Sequence, residues 1–128
     1  MSYYTEFFFR FTVNRDVPAG PLQAVLFGEG SGGEPLPDHP LFSTDRWEGM
    51  GRRGNLGVLA ATRMDKDLEH NCWNVIIHGE MKDYDGEIGK FLDWIRPYLG
   101  VGPSDFIGYS IGEDSDQPTL HYMSDVED

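Results

Sequence analysis

The sequence predicts an α+β fold: an antiparallel sheet of four or five strands with its helices on one face. Two periodicities predict it. Residues 3–13 alternate, with Tyr3, Thr5, Phe7, Phe9, Phe11 and Val13 pointing one way and Tyr4, Glu6, Phe8, Arg10 and Thr12 the other. That is the period of a strand with one buried and one mixed face. In the stretch 85–99, Ile88, Phe91, Leu92 and Ile95 recur at i, i+3, i+4 and i+7, with Glu87, Lys90 and Asp93 on the other side. This is the apolar stripe of a helix, and it needs a flat apolar surface to press on.

The first strand breaks at Asn14–Gly20. Pro18 and Pro21 are compatible with a first helical turn, Leu22, Val25 and Leu26 form a short stripe, and Gly28 stops it, so a helix is expected over 19–27. Residues 28–54 read as an irregular insertion. Four glycines and three prolines between Gly28 and Pro40 suit neither a helix nor a strand interior. Ser43, Thr44 and Asp45 then resemble an N-terminal cap, with Trp47 and Met50 on the buried side of a one- or two-turn helix. Leu56–Thr62 reads as a strand, 64–71 as a polar connector and Cys72–Met81 as a second strand, the two strands pairing as a hairpin.

In the main helix Asp83 or Asp85 serves as a cap, and Pro97 ends the regular helix near Arg96. Phe106–Ile111 is a strand with Ile107, Tyr109 and Ile111 on one face. Thr119–Met123 is a last strand with Leu120 and Tyr122 inward, and 124–128 is a loose acidic tail. Without the insertion and the final strand the order is β-α-β-β-α-β, the split βαβ or ferredoxin-like arrangement, here with a C-terminal strand added. One face of such a sheet stays open to a partner.

The 128 residues form a single domain with no repeat or internal boundary, and a chain of this length buries roughly two-thirds of its unfolded surface without a disulfide or metal. Cys72 is the one cysteine, which excludes an internal disulfide and suits a reducing, cytoplasmic setting. The start of the sequence shows neither the basic nor the apolar region of a secretory signal, and no apolar run approaches a membrane span. A net charge of −12 argues against direct nucleic-acid binding and against anionic membranes, and it permits attraction to a basic partner. The charge is uneven: no Lys or Arg follows Arg96, whereas Arg46, Arg52, Arg53, Arg63 and Lys66 are half of all the cations.

Several motifs are decided by their context. G-E-G-S-G-G at 28–33 lacks the G-K-S/T, the preceding strand and the following helix of a phosphate loop. Asp65, Asp67 and Glu69 alternate like calcium ligands, but His70 and Ile76 stand where an EF-hand needs glycine and glutamate. His70 and Cys72 lack the further ligands of a zinc site, so no metal and no cofactor is expected. No G-x-S-x-G nucleophile elbow is present, and Ser43 and Ser110 read as cap and strand residues. The richest stretch is 38–53, D-H-P-L-F-S-T-D-R-W-E-G-M-G-R-R, with His39, Arg46, Trp47, Arg52 and Arg53. Arginine forks hold carboxylate or phosphate in two-pronged fashion, and a tryptophan can stack on a ring. The competing reading puts Trp47 and Phe42 in the core and pairs the arginines with the chain's many acids.

The segments P-D-H-P-L-F-S-T-D-R-W at 37–47, K-D-Y-D-G-E-I-G-K-F-L-D-W-I at 82–95, F-I-G-Y at 106–109 and Q-P-T-L-H-Y at 117–122 resemble a group of small uncharacterised proteins of bacteriophage and bacterial genomes. The resemblance spans most of the chain, which departs from expectation in carrying Gly86 and Gly89 in its helix. It implies a phage-related origin, a place in the cytoplasm of a bacterial host cell, and an accessory role such as interference with a host protein. The expected function is therefore non-enzymatic binding of a host or phage protein, basic in character, through the open sheet face with Phe8 or the acidic residues Glu113, Asp114 and Asp116. Self-association also fits the aromatic first strand. The alternative is a small phosphorylated ligand, such as a nucleotide, held or processed by Arg46, Arg52, Arg53, Trp47 and His39.

Overall fold

The alternation of the first strand makes it the centre of the sheet. In the computed structural model, which describes residues 4–28, 30, 32–54, 60–100 and 105–123, β1 (Thr5–Asn14) pairs antiparallel on both of its edges. Its neighbours are β3 (Cys72–Met81) and β4 (Phe106–Gly112). β2 (Arg63–Asp67) forms one outer edge beside β3, and β5 (Thr119–Tyr122) the other beside β4, giving the order β2-β3-β1-β4-β5. Since β1 and β2 both run antiparallel to β3, they are parallel to each other and split by it.

Phe7, Phe9, Phe11 and Val13 are buried, and they share one core with Leu22, Val25 and Leu26 of α1 (Ala19–Phe27) and with Ile88, Phe91, Leu92 and Ile95 of α2 (Glu87–Ile95). The Phe91 ring lies 6.4 Å from Phe9 and 6.2 Å from Phe11. Both helices thus cover the face of β1 that carries its odd-numbered residues. Burying each of these large apolar side chains stabilises the fold by about 1.5–3 kcal/mol. The chain enters α2 through Gly86 at φ +71°, and the Asp83 carboxylate accepts from the Ile88 N–H at 3.0 Å, which satisfies one of the free amides of the first turn. Arg96–Tyr98 tightens into a 3-10 turn around Pro97, where the helix was expected to stop.

Four expectations change. The insertion contains no two-turn helix after Ser43. It has two 3-10 turns, Pro40–Ser43 and Met50–Arg52, and Ser43 and Thr44 close the first while His39 caps its start. The expected strand 56–62 falls largely on residues outside the described ones. Ala61 exchanges both backbone hydrogen bonds with His78, and the strand proper, β2, occupies what reads as a polar connector. β2 is an edge strand, so it has no continuous apolar face to betray it in the sequence.

The third change is in β4, where the register shifts between Phe106 and Gly108. Gly108 has φ +155°, and a Cβ there would collide with the Phe8 carbonyl oxygen. This bulge turns Ile107 into the core and Tyr109 to the opposite face, so the two do not share a side. The fourth change follows from the same register. Leu120 pairs with Tyr109 and Tyr122 with Phe106, so both point outward, while His121 faces the helices against Phe9 at 5.5 Å. The tail 124–128 lies outside the described residues.

Ile95 is fully buried at the end of the helical stripe. Ile95→Asp places an unpaired carboxylate there, and a loss of about 3 kcal/mol or more is expected in urea unfolding. An equally stable variant would contradict the docking of α2.

Candidate functional site

The insertion reaches the sheet because backbone groups hold it there. The carboxylate of Glu87, fully buried, accepts from the N–H of Asp85 and from the N–H of Arg46, both at 3.1 Å. Gly49 donates to the Ala24 carbonyl at 2.9 Å, Thr62 Oγ1 to the Gly51 carbonyl at 2.6 Å, and the Glu80 N–H to the Arg53 carbonyl at 2.8 Å. The last contact needs Gly79, since a Cβ there would stand 2.6 Å from the Arg53 oxygen. Segment 46–53 is thereby laid along the end of β3.

The result is a concavity of about 460 Å³ lined by Tyr4, Arg46, Arg52, Arg53, Glu80 and Lys82, among others. The guanidinium of Arg46 stands 4.9 Å over the Tyr84 ring, and the Lys82 ammonium 5.5 Å over the ring of Tyr4. Arg52 Nη1 donates to the Phe27 carbonyl at 3.3 Å and Arg53 Nη2 to the Glu48 carbonyl at 3.2 Å. Among the described residues, Arg53 Nε and Glu80 Oε1 are buried with no hydrogen-bond partner. Glu80 is 7% exposed. Burial, followed by the charges of Glu113 and Glu6, pushes its carboxyl above the ordinary range.

The structure therefore gathers the three expected arginines but not their expected companions. Trp47 packs edge-on against Phe42 at 4.9 Å and supports the core. His39 Nδ1 accepts from the Leu41 N–H at 3.0 Å while Nε2 meets Asp93 at 2.8 Å, so this histidine brackets the insertion onto α2. Tyr4, Glu80 and Lys82 were not singled out by sequence reasoning. Their signal is faint: the three even-numbered positions lie at the end of the outward face, and nothing local says that the insertion returns to that end.

A second region is the sheet face away from the helices. Phe8 stacks on Tyr109 at 5.9 Å and meets His78 at 6.1 Å, and Phe106 meets Tyr122 at 5.7 Å. Phe106 and Leu120 are each 52% exposed, and Tyr122 and Ile76 are exposed as well. At one end of this strip Glu6 holds His78 Nε2 at 2.8 Å, opposite Glu80 across the β1–β3 pairing. Glu113 accepts from the Tyr4 N–H at 2.8 Å at that same end, and the exposed Asp114 and Asp116 follow it in the β4–β5 turn.

Elsewhere, Ser110 Oγ lies 2.8 Å from His121 Nε2, the contact that a nucleophile and its base make. Neither residue lines any of the four concavities described on the surface. Asp67 accepts from the Glu69 and His70 amides at 3.1 Å and from the His70 ring at 3.0 Å, which holds its carboxyl below the ordinary range and makes it a turn residue. Among the described residues no group of three or more His, Cys, Asp or Glu is placed to hold a metal ion, and no helix is long and apolar enough to cross a membrane. Comparison with protein-family models, curated proteins and solved structures finds no match to this chain.

Because the carboxyl of Glu80 holds its proton more tightly in the folded chain than in the unfolded one, folding gains from acidification. The contribution is present in full below the ordinary carboxylate range and is lost as pH rises through the raised value. Glu80→Gln is expected to be more stable than the wild type at pH 7.5, with the gap closing as pH falls towards 4 in paired thermal melts. A constant gap across that window would show that Glu80 is not held above its ordinary range.

Proposed function

We propose that this chain is a non-enzymatic binding protein, phage-related in origin, that docks a host or phage protein on its open sheet face. The observation that carries the reading is an apolar strip in which Ile76, Phe106, Leu120 and Tyr122 are exposed and Phe8 and Tyr109 are half-buried, and which no helix among the described residues covers. Apolar side chains this exposed and this close together are a recognised mark of an interaction surface. Aromatic side chains at the centre of an interface supply much of its energy.

Charge selects the occupant. The strip ends at Glu6, Glu80, Glu113, Asp114 and Asp116, on a chain of net charge −12. A second copy would bring this acidic end and this net charge against its own like. A partner with an apolar patch bordered by lysine and arginine meets both features, and the charges would speed its encounter. The face serves as the dock, and the acidic turn orients what docks.

Capture from host extract by wild type and by Leu120→Asp, followed by titration of the purified pair, tests this reading. One partner is expected, with a basic border, bound at least about tenfold more weakly by Leu120→Asp. Its binding should also fall with added salt and with the triple change Glu113→Gln, Asp114→Asn, Asp116→Asn. Concentration-dependent self-association that Leu120→Asp abolishes would overturn it in favour of a homodimer. A partner indifferent to both variants would overturn it outright.

A further inference from the structure

The concavity at the end of β3 is a separate matter from the sheet face, and three of its features point to a ligand. The first is charge. Arg46, Arg52, Arg53 and Lys82 line it, four of the ten cations of a strongly acidic chain, against the one carboxylate of Glu80. Cations crowd together unfavourably unless something anionic sits among them.

The second is the pair of buried polar atoms without partners, Arg53 Nε as donor and Glu80 Oε1 as acceptor. Both residues line the concavity, and buried polar groups are nearly always hydrogen-bonded, so an unmet donor and acceptor there specify complementary groups on whatever binds, reached by a small shift of the side chains. The third is rigidity. Arg53 and Glu80 are joined through their backbones at 2.8 Å, Arg53 Nη2 is anchored on the Glu48 carbonyl, and the Arg46 backbone is anchored on Glu87. The site is therefore largely formed before anything binds, and its volume of about 460 Å³ suits a small molecule.

We infer that this concavity binds a small phosphomonoester that carries a hydroxyl or amino donor near its phosphate. The phosphate sits among Arg46, Arg53 and Lys82, with Arg52 at the rim, and the neighbouring donor is accepted by Glu80 Oε1. Arginine suits this task because its planar fork bonds phosphate oxygens two at a time. Glu80 sets the selectivity: a donor-free oxyanion such as sulfate satisfies the cations and leaves this acceptor open, whereas a sugar phosphate satisfies both. Trp47 and His39 take no part, since each is engaged in holding the insertion to the core and to α2. The sheet-face dock can fail without touching this inference, because Leu120 and Phe106 do not line the concavity.

The test is isothermal titration of the full chain with inorganic sulfate and with ribose 5-phosphate, in buffer held at constant ionic strength with sodium chloride. Saturable binding at one site is expected, tighter for ribose 5-phosphate. Arg53→Gln should weaken both probes by about tenfold or more, the worth of one charge-assisted contact. Glu80→Met, which removes the acceptor at nearly the same volume, should remove the preference for ribose 5-phosphate while sulfate still binds. Lys82→Gln, whose side chain meets the ring of Tyr4 at the rim, reads the same site should Arg53→Gln fail to fold. Absence of saturable binding by either probe would overturn the inference. So would binding that survives Arg53→Gln and Lys82→Gln unchanged.

Discussion

The structure depends on a single strand with two unlike faces. β1 is hydrogen-bonded along both edges, so it cannot shift register without breaking two ladders at once. Its odd positions carry Phe7, Phe9, Phe11 and Val13 into the helices, and a slip of one residue would send all four into solvent. The same pleat obliges the even positions to face outward. Phe8 and Glu6 are therefore turned outward by the same geometry that buries the core, and the acidic, aromatic face is a consequence of how the core is built.

A second constraint is the buried carboxylate of Glu87. It sits at the first position of α2, where a negative charge is favoured by the helix dipole, and it accepts backbone donors from both the turn before the helix and the insertion. Each hydrogen bond accepted from a backbone N–H offsets part of the cost of burying this side chain, by about 1 kcal/mol or more. Through it the start of the main helix and the position of Arg46 become one problem. His39 on Asp93 and the aromatic group of Phe42, Trp47 and Trp94 fasten the rest of the insertion to the same helix. An irregular segment held at this many points is a scaffold for side chains, which is the usual way for binding residues to be placed.

These two constraints put the two candidate surfaces side by side. Glu80 belongs to both: it ends the outward face of β3 opposite Glu6, and it lines the cationic concavity. Glu6 and Glu113 reach this end from β1 and from the turn after β4, and the arginines reach it from the insertion. The local field therefore changes sign over a short distance, although the chain as a whole is strongly acidic.

Much of the fold was legible from periodicity alone. The spans of β1, α1, β3, α2 and β4 follow from apolar spacing and from where glycine and proline interrupt it, because burial imposes a period of two on strands and of 3.6 on helices. The three arginines of the site were legible as a cluster, since they are close in sequence. What tertiary structure decided is what periodicity cannot carry. β2 is charged and sits at an edge, so its pairing with β3 leaves no apolar signature. The bulge at Gly108, where the Phe8 carbonyl approaches closely, puts Ile107 and Tyr109 on opposite faces, and pairing with Tyr109 and Phe106 sends Leu120 and Tyr122 outward. Tyr4, Glu80 and Lys82 join the arginines only because Gly79 lets the insertion lie against β3. Sequence alone determined which faces are apolar, since that is local chemistry repeated along the chain. Which residues meet across those faces was left to contacts between segments far apart, whose geometry exists only once the core has closed.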